Sequence, residues 1–100
     1  MFTIEAAIDD YFHTIIRSRP WTKKREEEVL TAFSDWLYEQ PDTSFQASDV
    51  NVQLVQQYVN DCGLSFIEQQ ELLTALHNLY TWATYYQRLD INPFTNPAAN

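Results

Sequence analysis

The 100-residue sequence has a single glycine. That leaves few sites for the positive-φ turns of tight hairpins and argues against a hairpin-rich β fold. It has a single cysteine, Cys62, so no internal disulfide can form. A lone thiol fits a reducing compartment. The stretch Met1–Ile8 carries Glu5 and no basic residue. A secretory leader wants a basic start and an apolar run of about 7–15 residues, so none is expected here. No run approaches the roughly 18 apolar residues of a membrane helix. A cytoplasmic protein without membrane contact is the expectation. Lys and Arg are also missing over a long span: there is none between Glu26 and Gln87.

What is present is apolar and acidic. Apolar residues make up 45% and aromatics 15%, enough to fill the core of one domain without staples. The net charge of −8 opposes indiscriminate binding to nucleic acid or anionic lipid. Its distribution is uneven. Arg17, Arg19, Lys23, Lys24 and Arg25 are five of the six basic residues, and no acid interrupts them.

Apolar spacing predicts four helices. Ile4, Ala7, Ile8, Tyr11, Phe12, Ile15 and Ile16 recur at helical period over residues 4–17, with Thr3 as cap and Pro20 beyond the end. Val29, Leu30, Phe33, Trp36 and Leu37 define a second helix, 23–39, between Thr22 and Pro41. Its head carries Lys23, Lys24 and Arg25 at the positive end of the helix dipole, where acids are preferred. Cations set against a dipole point weakly to selection for something other than stability. Residues 42–48 read as a polar loop. Asn51 caps a short third helix with Val52, Val55, Tyr58 and Val59 facing inward, a stripe that Cys62 extends. Gly63 is placed to terminate it. Ser65 and Glu68 form a capping box for a last helix, 66–87. The apolar face of that helix (Leu72, Leu76, Leu79, Tyr80, Ala83, widened by Leu73, Trp82 and Tyr86) is broad enough for burial on more than one side. The expected architecture is an all-α, four-helix orthogonal bundle.

Chemistry is sparse. His13 and His77 lack a second His or Cys at metal spacing, and Cys62 has no C-x-x-C partner. No glycine loop cradles phosphate, and no nucleophile–base–orienter set is recognisable. No metal, cofactor or small-molecule substrate is therefore expected. His13 reads as a surface residue of an amphipathic helix. His77 reads the same way, with a ligand or DNA contact as the alternative. Asp9–Asp10 and Glu26–Glu28 read as solvated faces, with coordination of a cation as the alternative. Trp36, Tyr58, Tyr80 and Trp82 read as core, while Tyr85–Tyr86 are candidates for partial exposure at an interface.

Three segments together resemble the N-terminal core-binding domain of tyrosine recombinases and phage integrases, a SAM-like helical domain. "IDDYFHTIIRSRPWTKKREEEVLTAFSDWL" is similar to that family's first two helices. "VNVQLVQQYV" is similar to its short third helix, with Asn51 in place of Thr. "LSFIEQQELLTALHNLYTWATYYQRLDINPF" looks like its long closing helix followed by the I-x-x-N-P that opens a linker. The resemblance spans residues 4–94, and "LHNLYTWA" followed by "INPF" is its most specific part. It implies a domain over 1–94 that forms half of a clamp on double-stranded DNA, with 95–100 as the start of a linker or tail. Other recombinase protomers are implied as neighbours on the DNA. Strand cleavage in that family belongs to a separate C-terminal domain, and nothing in this chain matches it. The chain is thus expected to lack enzymatic activity, as a piece of a longer recombinase or as a solitary clamp domain.

By motif position, the resemblance implies DNA contacts at the head of the second helix, through Thr22, Lys23, Lys24 and Arg25, with Arg17 and Arg19 completing the basic cluster. It also implies contacts along the closing helix, through Gln69, Gln70 and His77. His77 stands where an arginine is common, and Glu68 and Glu71 replace cations. The alternative reading is an acidic protein-interaction domain without DNA affinity, using Tyr85–Tyr86 and the Leu89–Phe94 tail.

Overall fold

In the computed structural model, residues 2–15, 24–40, 46–86, 88–89 and 92–94 are described. Four helices appear among them: α1 (Ile4–Ile15), α2 (Lys24–Tyr38), α3 (Val52–Cys62) and α4 (Phe66–Tyr85). The all-α expectation holds at that level, and the described residues contain no strand beyond an isolated Thr3–Gln46 bridge. The continuation of α1 past Ile15 and the Thr22 cap of α2 lie outside the described residues.

Local chemistry sets most helix ends. Thr3 Oγ1 accepts from the Ala6 N–H at 3.1 Å, satisfying a first-turn donor of α1. Asn51 Oδ1 accepts from the Leu54 N–H at 2.9 Å and opens α3. Gly63 closes α3 at φ 63° and ψ 43°, the left-handed conformation that glycine adopts without a Cβ penalty. The α4 capping box is complete. The Glu68 N–H donates to Ser65 Oγ at 3.2 Å, and the Ser65 N–H donates to Glu68 Oε1 at 2.9 Å.

The central element is α4. It packs against both α1 and α2, and those two pack against each other. Leu72, Leu76 and Leu79 are wholly buried. Each contributes about 1.5–3 kcal/mol of apolar burial. Aromatic rings fill the remaining space. Phe33 meets Tyr58 edge-on at 5.2 Å, Tyr11 meets Trp82 at 5.7 Å, and Tyr80 meets Phe94 at 5.2 Å. Trp36 joins the first cluster and donates its indole N–H to Asp61 Oδ2 at 3.0 Å.

Three expectations need correction. The connector read as a polar loop ends in a 3₁₀ turn, Ala47–Asp49, tied into the core. Ala47 is wholly buried, its N–H donates to the Phe2 carbonyl at 2.9 Å, and its carbonyl accepts the Tyr80 hydroxyl at 2.6 Å. A buried backbone must find partners, and here Phe2, just ahead of α1, and Tyr80 of α4 supply them. Second, the inward stripe of α3 is shorter than expected. Val55, Tyr58 and Val59 are buried, but Val52 is 51% exposed and Cys62 is exposed. Both lie in the terminal turns of α3, outside its buried middle. Third, the interaction-domain alternative uses the Leu89–Phe94 tail as a contact surface, but Phe94 is only 4% exposed and belongs to the core. Asn92 Oδ1 accepts the Phe94 N–H at 2.8 Å and folds the tail back toward α4.

Candidate nucleic-acid interface

The heads of α2 and α4 lie side by side. Lys24 and Arg25 are the first two residues of α2, and Arg25 faces the second turn of α4. Its Nε donates to Glu71 Oε2 at 3.0 Å and its Nη2 to Glu71 Oε1 at 3.1 Å, a bidentate pair. Glu28, one turn along α2, approaches Arg25 Nη1 at 3.6 Å. The hydrogen bonds from Arg25 hold the Glu71 carboxyl below its ordinary range and push the guanidinium further up. Glu68 is likewise held low, first by the backbone N–H of Ser65.

The sequence-predicted residues therefore separate into groups. Arg25 and Gln70 line one open groove between α2 and α4, with a volume of about 440 Å³. Lys24 is exposed at the α2 head and has no ion-pair partner among the described residues. Gln69 is half-buried, and its N–H completes the first turn of α4 by donating to the Ser65 carbonyl at 2.9 Å. Arg17, Arg19, Thr22 and Lys23 lie outside the described residues.

His77 sits apart from this groove. It is two turns, about 10 Å, further along α4 than Gln70. Its Nδ1 is 2.8 Å from the Phe94 carbonyl oxygen. A carbonyl only accepts, so Nδ1 carries the proton. The contact fastens the tail to α4 and occupies the ring edge that a nucleic-acid contact from Nδ1 would need.

Sequence reasoning missed two features of the groove. The first is Glu71 as the clamp on Arg25, because the two residues are 46 positions apart. The second is an apolar rim: Phe66 and Ile67 are 75% and 73% exposed. Two consecutive apolar residues straight after the Ser65 cap were the available signal, since adjacent helical positions cannot both face the same core.

No set of His, Cys, Asp or Glu among the described residues is arranged to hold a metal. No described helix is long and apolar enough to cross a membrane. Comparison with family models, with curated proteins and with solved structures found no match to this chain.

Proposed function

We propose that this chain is a DNA-binding clamp domain of the tyrosine recombinase type, a SAM-like orthogonal bundle that grips duplex DNA during integration or recombination. Strand cleavage lies outside its chemistry. The observation that carries the reading is the adjacency of the α2 and α4 heads. The two segments that the resemblance assigns to DNA are distant in sequence, yet Arg25 and Gln70 share one groove. Lys24 stands at an α2 N-terminus, where backbone N–H groups and the helix dipole add to the attraction for phosphate. Binding is weak, because the rest of the molecule is acidic. Only about 3–5 phosphates are neutralised, so log affinity falls with log salt at a slope of roughly −3 to −4.5.

Duplex binding at 50 and 200 mM salt tests this. Lys23→Glu with Lys24→Glu reverses two cations without touching the Arg25–Glu71 pair. Loss of binding in that variant, with an unchanged melting temperature, supports the reading. Absence of binding at low salt, or binding indifferent to the variant, refutes it.

A second reading is a protein-interaction domain, favoured by the exposure of Phe66 and Ile67 at one end of α4 and of Tyr85, 78% exposed, at the other. Burial of Phe94 removes that residue from the surface. A concentration-independent monomer in sedimentation, with no self-association, counts against this second reading.

A further inference from the structure

Beyond α4 the chain is tied down at two separate points. The first is Arg88. Its N–H donates to the Ala83 carbonyl at 2.8 Å, its Nη1 donates to Asp10 Oδ2 of α1 at 3.1 Å, and its guanidinium lies 5.4 Å from the centre of the Phe2 ring. The second is the segment 92–94. The buried Phe94 ring meets the Tyr80 ring edge-on. The Phe94 carbonyl is 2.8 Å from His77 Nδ1, and Asn92 Nδ2 donates to Thr81 Oγ1 at 3.1 Å.

The contacts of this second point go to three side chains of α4: His77, Tyr80 and Thr81. None of them uses a helical backbone bond, so α4 keeps its own ladder when they part. Contacts with α1 and α2 hold α4 in place independently. Tyr80 is also fixed from its other end, since its hydroxyl donates to the Ala47 carbonyl at 2.6 Å. The seat under Phe94 therefore stays formed whether or not the ring occupies it. A small unit on a preformed seat can open while the rest of a domain remains folded.

We propose that residues 92–94 are a releasable strap, which seats Phe94 on α4 and opens as a unit while the four helices stay folded. The strap decides where the following residues start. Seated, it starts them beside His77, in the middle of α4. Released, it starts them from the Arg88 tie at the end of α4, about 12 Å further along the helix axis. Opening also bares the edge of the Tyr80 ring that Phe94 covers. The inference is independent of DNA binding, since it uses the C-terminal half of α4 and the Arg25 groove uses its head.

Amide hydrogen exchange of the full chain, followed by NMR in rising but sub-denaturing guanidinium, tests it. The Phe94 N–H donates to Asn92 Oδ1 at 2.8 Å and reports on the seated strap. It is expected to be protected, yet about tenfold or more less so than the amides of Leu76 and Leu79. Its rate is expected to stay nearly flat with guanidinium, because strap opening exposes little surface, while those of Leu76 and Leu79 climb steeply. His77→Ala is expected to speed Phe94 exchange about two- to tenfold, the weight of one hydrogen bond. Thr81→Ala, at an exposed position of α4, is expected to act in the same direction without endangering the fold. A Phe94 rate that climbs with guanidinium as steeply as that of Leu76 would mean that the segment opens only with the whole domain, and would overturn the proposal. An unprotected Phe94 amide, or one indifferent to both variants, would overturn it as well.

Discussion

Arg25 is the one cation lining the groove among the described residues, and Glu71 holds it with two hydrogen bonds of 3.0 and 3.1 Å. A phosphate must displace that carboxylate to reach it. On the DNA-binding reading the other cations of the cluster are Arg17, Arg19, Lys23 and Lys24. Four neutralised phosphates give a salt slope of about −3.6, so affinity falls about 150-fold between 50 and 200 mM salt. Glu71→Gln keeps the side-chain shape, removes one negative charge and releases Arg25. A fifth phosphate contact steepens the slope to about −4.5 and raises affinity by about 15-fold at 50 mM and about fourfold at 200 mM. The fall between those salts grows to about 500-fold. Fluorescence anisotropy with a labelled duplex of about 20 base pairs, repeated at four salt concentrations, reads both the slope and the offset. An unchanged slope in Glu71→Gln refutes the claim that Glu71 withholds Arg25 from DNA. A shallower one would mean that Glu71 holds the α2 head in its binding position.

Further outcomes follow from the same contacts. Tyr80→Phe removes a buried hydrogen bond to the Ala47 carbonyl, which keeps only the Val50 N–H at 3.3 Å. The expected cost is about 1 kcal/mol, or about 4–8 °C in melting temperature by calorimetry; no change would mean that Tyr80 does not anchor the 3₁₀ turn. At Gly63 an added Cβ meets no atom within 4 Å, so Gly63→Ala costs only the left-handed backbone strain. That strain is about 1–2 kcal/mol, and Gly63→Asn recovers part of it. Glu68 and Glu71 both have folded-state pKa values below the ordinary 4.5. Their contribution is complete above that value and is lost as pH falls through the lowered ones, because the unfolded chain takes up the protons first. Urea midpoints measured from pH 6 to pH 3 are expected to fall, and to fall less in Glu68→Gln with Glu71→Gln. A parallel decline in that variant would show that other carboxyls govern acid stability.

The sequence by itself determined the parts of this protein that depend on near neighbours. Thr3, Asn51, Gly63, Ser65 and Glu68 act within one turn of their own positions, and each sits at the helix end its chemistry suits. The broad apolar face of α4 foretold its central place, since a helix apolar on more than one side must be covered on more than one side. Tertiary structure decided what depends on distant meetings. The buried 3₁₀ turn at Ala47 has its partners in Phe2 and Tyr80, far away in sequence and invisible to local composition. The Phe94 carbonyl claims His77, so a residue read as a surface contact becomes a fastening for the tail. The exposure of Val52 and Cys62 follows from where the buried part of α3 ends, which periodicity does not specify. The basic cluster shows the division most clearly. Its existence is plain in the sequence. That Arg25 is bound by Glu71 while Lys24 stays open is decided by how α2 lies against α4, because an ion pair forms between side chains that packing brings within about 4 Å, whatever their separation along the chain.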